Sequence, residues 1–126
     1  MPLIKRLPDA EFEIMKVIWN DTPPVTTLQI MDKLGSGKVW KPQTVLTMLV
    51  RLIEKGFLES RRIGRERNYT PIISEQDYMQ IETNDFIKRY YGNSLGSLVK
   101  TLYEGKKLPQ EDLQELKKWL AGKNVK

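Results

Sequence analysis

Up to Gly56 the apolar residues of this chain recur at helical spacing, and directly after it the period changes to that of extended strands. Leu58 to Arg62 and Arg67 to Pro71 read as two strands. Ile63-Gly64-Arg65-Glu66 joins them, with Gly64 supplying the turn geometry.

Three helices precede it. Asp9 is placed to cap the first, which runs to about Asn20 with Phe12, Met15, Ile18 and Trp19 at helical spacing and Glu11 and Glu13 near its positive end. Asp21-Thr22-Pro23-Pro24 stops it, because proline cannot continue a helix. Val25 starts a short extended piece, and Thr26 with Gln29 fits the capping box of a second helix ending at Gly35, a position suited to a left-handed C-cap. The third helix has Pro42 in its first turn and Gly56 just past its end. Val45, Leu49, Leu52 and Ile53 form its apolar stripe, while Thr44, Thr47 and Arg51 share a polar face. Three helices followed by a hairpin is the order of a winged helix-turn-helix.

Beyond this the pattern is helical again. Ser74 with Asp77 suits an N-cap for a helix reaching Tyr91, and Gly92-Asn93 breaks it. A short helix ends at Gly105. A last one opens at Pro109, with Glu111 and Asp112 beside it and Lys117 and Lys118 before Gly122. The chain therefore reads as mainly α: a winged helix-turn-helix over residues 1–73 and a three-helix unit over 74–126. Helices this short need a partner surface. The apolar residues of the second unit (Tyr78, Ile81, Phe86, Leu95, Leu98, Val99, Leu102, Leu113, Leu116, Trp119 and Leu120) are numerous enough to suggest burial against a second copy, making it a dimerisation unit.

Composition removes most enzyme chemistry. The 126 residues include no Cys and no His, so there is no disulfide, thiol nucleophile, Cys/His zinc site or imidazole base. No metal, cofactor or catalytic residue is expected. Glu111, Asp112 and Glu115 sit at a helix start, where the dipole accounts for them. Gly35-Ser36-Gly37-Lys38 fails as a phosphate loop, with Asp32 where the first glycine belongs and Val39 where Ser or Thr should follow the lysine. No signal peptide or span is visible, so a cytoplasmic protein is expected and the glycosylation triplets Asn20-Asp21-Thr22 and Asn68-Tyr69-Thr70 read as chance.

The placement of charge says more than its amount. Residues 38–70 hold Lys38, Lys41, Arg51, Lys55, Arg61, Arg62, Arg65 and Arg67 against Glu54, Glu59 and Glu66. This third of the chain accounts for the whole net charge of +5. Such a field points to an anionic partner. On a helix inserted in a major groove, Gln43 suits adenine, Arg51 guanine, and Thr44 and Thr47 a base edge or thymine methyl. Lys41 at the helix start suits a phosphate, and the hairpin arginines suit phosphates or the minor groove. A merely solvated basic face is the competing reading, and the coincidence of charge with fold order favours DNA. Trp19, Trp40 and Trp119 read as core or interface residues, with Trp40 placed to brace the third helix.

The ordered set Asp9-Ala10-Glu11-Phe12-Glu13-Ile14-Met15-Lys16-Val17-Ile18-Trp19, Trp40-Lys41-Pro42-Gln43-Thr44-Val45, Arg51-Leu52-Ile53-Glu54-Lys55-Gly56-Phe57-Leu58, Gly64-Arg65, Tyr69-Thr70-Pro71, Tyr90-Tyr91-Gly92 and Ser97-Leu98-Val99 resembles the penicillinase repressor family (BlaI and MecI), with CopY-type repressors as relatives. The resemblance covers nearly the whole chain. It implies a homodimeric repressor on a double-stranded operator, an inverted repeat with TACA and TGTA half-sites before β-lactamase, cell-wall or stress genes. Lys41, Gln43, Thr44 and Thr47 then fall at recognition positions, Arg51 lies further along that face, and Arg62, Arg65 and Arg67 fall in the wing. The Cys-x-Cys motifs of copper-sensing relatives are absent. Antibiotic-responsive relatives are cut between Asn and Phe by a membrane sensor-protease. Thr101 and Leu102 occupy the matching positions, so a protease acting here would need another specificity. The alternative to a repressor is a winged-helix module that docks to a protein without reading DNA.

Overall fold

The computed structural model describes residues 6–35 and 40–123. The elements run α1 (Asp9–Trp19), β1 (Val25–Thr26), α2 (Thr27–Leu34), α3 (Pro42–Glu54), β2 (Leu58–Ile63), β3 (Glu66–Pro71), α4 (Glu75–Tyr91), α5 (Leu95–Glu104) and α6 (Gln110–Gly122). They fall into two compact units, Met1–Glu82 and Thr83–Lys126, with the division inside α4.

In the first unit local chemistry places the helix boundaries. Phe12 N–H donates to the Pro8 carbonyl at 2.9 Å, so α1 begins one residue before Asp9 can cap it. Asp9 instead lies in the first turn, favourably placed on the helix dipole and 3.9 Å from Arg6. The α2 capping box forms in full: Gln29 N–H donates to Thr26 Oγ1 at 3.2 Å, and Thr26 N–H to Gln29 Oε1 at 2.8 Å. Gly35 closes α2 at φ 46° and ψ −153°, a glycine conformation outside the left-handed helical region. Pro42 takes the first position of α3.

The sheet has three strands in the order β1-β3-β2, because Val25 and Thr26 pair antiparallel with Tyr69 and Asn68. The expected hairpin thus gains a short third strand. Its loop is tighter than the sequence suggested: Ile63 pairs with Glu66, leaving Gly64 and Arg65 as the two loop residues, with Gly64 at φ 65°.

The core joins Ile14, Met15 and Ile18 of α1, Ile30 of α2, Val45, Leu49 and Leu52 of α3, and Phe57, Leu58 and Tyr69 of the wing. Leu7, Val25 and Tyr78 complete it. Tyr78 is 2% exposed and packs its ring near those of Phe12, Trp19 and Phe57. Its hydroxyl accepts from Leu7 N–H at 2.8 Å. Trp19 Nε1 donates to the Ile73 carbonyl at 2.9 Å, and Trp40 packs partly buried against the same cluster.

In the second unit Gly92 and Asn93 both take positive φ and end α4. Ser94 caps α5 by accepting from Ser97 N–H at 3.1 Å, and Pro109 stands just before α6. Among the described residues, none beyond Glu82 is buried. No helix of the described residues is long and apolar enough to cross a membrane.

Candidate nucleic-acid interface

The buried face of α3 dictates its exposed one. Val45, Leu49 and Leu52 point to the core, so at about 100° per residue Gln43, Thr47, Val50 and Glu54 stand opposite, with Thr44 and Arg51 to one side. Lys41, Gln43, Thr44, Thr47 and Arg51 are all exposed, and Lys41 is the N-cap. Thr47 Oγ1 donates to the Gln43 carbonyl at 2.9 Å, which commits its proton to the helix and leaves its methyl and an acceptor lone pair outward. Residue polarity alone does not point to Val50 and Leu46, which are 54% and 39% exposed on this helix. Val50 stands among polar neighbours on the outward face, where an apolar side chain suits a thymine methyl. The helical wheel alone could have separated Val50 from the core stripe.

In the wing, strand alternation sorts the charges. Leu58 and Tyr69 are buried, so Ser60, Arg62, Arg67 and Pro71 share their face, the one α3 packs on. Glu59, Arg61, Ile63, Glu66, Asn68 and Thr70 take the other. Arg62 and Arg67 are directly paired across the ladder. Arg67 Nη1 donates to Ser60 Oγ at 2.9 Å. The hairpin glutamates Glu59 and Glu66 therefore lie on the outer face with Arg61, and the inner face carries two arginines and no carboxylate. Arg65 is exposed at the loop tip. A shallow depression of about 190 Å³, lined by Thr26, Thr27, Leu28, Glu66 and Arg67, joins the start of α2 to the wing.

Lys55 leaves this basic set. Its Nζ lies 2.5 Å from Glu11 Oε1, and Glu11 is 3% exposed. Lys38 and the Ser36-Gly37-Lys38 portion of the rejected phosphate loop lie outside the described residues.

The expected dimerisation residues separate. Tyr78 is spent in the core of the first unit, where 2% exposure leaves no surface to offer a partner. Ile81, Phe86, Leu95, Leu102, Leu116, Trp119 and Leu120 are exposed, and Leu98, Val99 and Leu113 half-buried. Thr101 and Leu102 are exposed within α5, and Thr101 Oγ1 donates to the Ser97 carbonyl at 2.9 Å.

A helix-turn-helix whose third helix turns polar side chains outward beside a basic wing defines the class of winged-helix DNA-binding proteins. The penicillinase repressor family model matches residues 7–122, and the chain belongs to that family, one of transcriptional repressors and not of enzymes. It is 39% identical to the penicillinase repressor of Bacillus licheniformis over 116 residues, 92% of this chain and 90% of that protein. It is 29% identical to the methicillin resistance regulatory protein MecI of Staphylococcus aureus strain N315 over 114 residues, 90% and 92% of the two chains. The solution structure of the DNA-binding domain of the repressor BlaI is similar at a TM-score of 0.53 and 44% identity, covering 62% of this chain and 94% of that one. The Bacillus licheniformis BlaI monomeric form in complex with the blaP half-operator matches at a TM-score of 0.51 with the same identity and coverage.

Proposed function

We propose that this protein is a homodimeric, sequence-specific repressor that sits on an inverted-repeat operator in the cytoplasm and blocks transcription of β-lactamase, cell-wall or stress-response genes. The observation that carries the reading is the outward face of α3 standing beside a wing face that holds arginines and no carboxylate. Gln43, Thr44, Thr47 and Arg51 read bases, Lys41 holds a phosphate at the helix start, and Arg62, Arg65 and Arg67 grip the backbone. The similarity to a BlaI form bound to a half-operator supports the reading of this fold as a DNA-binding one.

Residues 1–73 serve as the DNA-binding part and 74–126 as the dimerisation part. The exposed apolar residues of α4, α5 and α6 support a second copy as partner. A membrane sensor-protease cutting at Thr101-Leu102 would divide α5, weaken the dimer and so remove the doubled contacts on two half-sites.

Fluorescence anisotropy with a labelled duplex carrying TACA and TGTA half-sites, against a scrambled duplex at two salt concentrations, tests the reading. The expected specificity ratio is about 10³ or more. Equal affinity for both duplexes would overturn it.

A further inference from the structure

The register of the wing sets Arg62 and Arg67 opposite one another in the β2–β3 ladder. Side chains so paired stand about 5 Å apart at Cβ, and like charges there repel. Among the described residues neither guanidinium has a carboxylate partner, although Glu59 and Glu66 are carried by the same two strands. Both glutamates stand on the outer face, away from the pair. Arg67 is steered by its bond to Ser60, and Arg62 is left without a hydrogen bond among the described residues. The free wing thus holds two facing cations whose natural relief is one anion placed between them.

We propose that Arg62 and Arg67 form a two-guanidinium seat that takes a single backbone phosphate of duplex DNA, shared between the two side chains. The proposal rests on the DNA-binding reading above and deepens it. A guanidinium matches phosphate oxygens through paired N–H groups, so two facing guanidinia can satisfy opposite sides of one phosphate. The pair lies on the sheet face that α3 packs on, which orients the seat toward the strand whose groove α3 enters. The same pairing makes the seat costly when empty, so it opposes folding of the free wing and favours its bound form.

The test uses the full chain as wild type, Arg62→Gln, Arg67→Gln and the double variant. Affinity for one duplex is measured across a salt series, and thermal midpoints of the free proteins are measured at low and high salt. Neutralising one phosphate contributes a slope of roughly −0.9 in log K against log salt. The expected double variant has a slope shallower by roughly 0.9, one phosphate for two arginines. A change of roughly 1.8 would mean two separate phosphates and overturn the shared seat, and no change would overturn any phosphate contact by this pair. A wild type whose binding ignores salt would instead overturn the DNA reading itself. Arg62→Gln, which breaks no hydrogen bond among the described residues, is expected to raise the free protein's midpoint by about 1–3 °C at low salt, with the gain shrinking at high salt. An unchanged or lower midpoint would overturn the repulsion on which the seat depends.

Discussion

Lys55, the C-cap of α3, places its Nζ 2.5 Å from Oε1 of Glu11, a carboxylate of α1 that is 3% exposed. The contact ties the end of the recognition helix to the helix beneath it and takes one lysine out of the charge that faces DNA. Replacing Lys55 with Met leaves Glu11 buried without its cation, at an expected cost of about 2 kcal/mol in urea unfolding. Adding Glu11→Leu should recover much of that loss. Since Lys55 neutralises Glu11 and not a phosphate, the salt slope of DNA binding should be the same in Lys55→Met as in the wild type.

Stability at high pH should depend on Tyr78. Burial pushes its phenol above the ordinary value of 10.0, outweighing the opposing pull of the Leu7 N–H bond. The proton therefore leaves the unfolded chain first. Tyr78 contributes stability that is intact below pH 10.0 and is lost as pH rises from there through the folded value. Tyr78→Phe gives up the Leu7 bond and starts less stable, but its urea midpoint should fall less steeply above about pH 10. Parallel curves for the two proteins would contradict this.

The α2 capping box and the wing loop each rest on one residue. Thr26→Ala removes the acceptor for Gln29 N–H and should cost about 1 kcal/mol. Gly64→Ala meets no steric neighbour, yet φ of 65° is strained for any L side chain. It should cost about 1 kcal/mol and weaken duplex binding by loosening the wing. Chemical denaturation with anisotropy on the same samples separates the two effects.

The second unit should report on self-association. Trp119→Asp and Phe86→Glu place charge on exposed apolar positions of α6 and α4. If the proposed dimer forms through this unit, sedimentation velocity at micromolar concentration should show the wild type at dimer mass and both variants near monomer mass, with the affinity for a single half-site kept. Retained dimers in both variants would remove these residues from the interface.

Much of the fold was legible because its punctuation is local. The Thr26 and Gln29 pair, Pro42, Gly64 and Ser74 each act within a few residues, and each does in three dimensions what its spacing predicts. Asp9 failed as a cap because Pro8 already supplies the first helical acceptor, a one-residue ambiguity that side-chain type alone does not resolve. Tyr78 reads in sequence with the residues that follow it, since nothing local announces a hydroxyl reaching back to Leu7. The Glu11–Lys55 pair was hidden for the same reason: its partners lie 44 residues apart. In the wing, four arginines look alike by charge, and only the strand register sends Arg61 to one side and Arg62 with Arg67 to the other.

The lack of any buried residue among those described beyond Glu82 separates the molecule into regions with different requirements. The winged helix has a buried core of its own. The helices that follow would draw their order from mass action, gaining it as copies meet. On that view abundance enters gene control twice, first in building the two-handed form and then in loading it onto the promoter. Below the dimer's dissociation constant, occupancy of an unsaturated operator would climb with about the square of the amount of protein made. A modest fall in synthesis would then release the promoter more sharply than it would with a repressor that bound as a single copy.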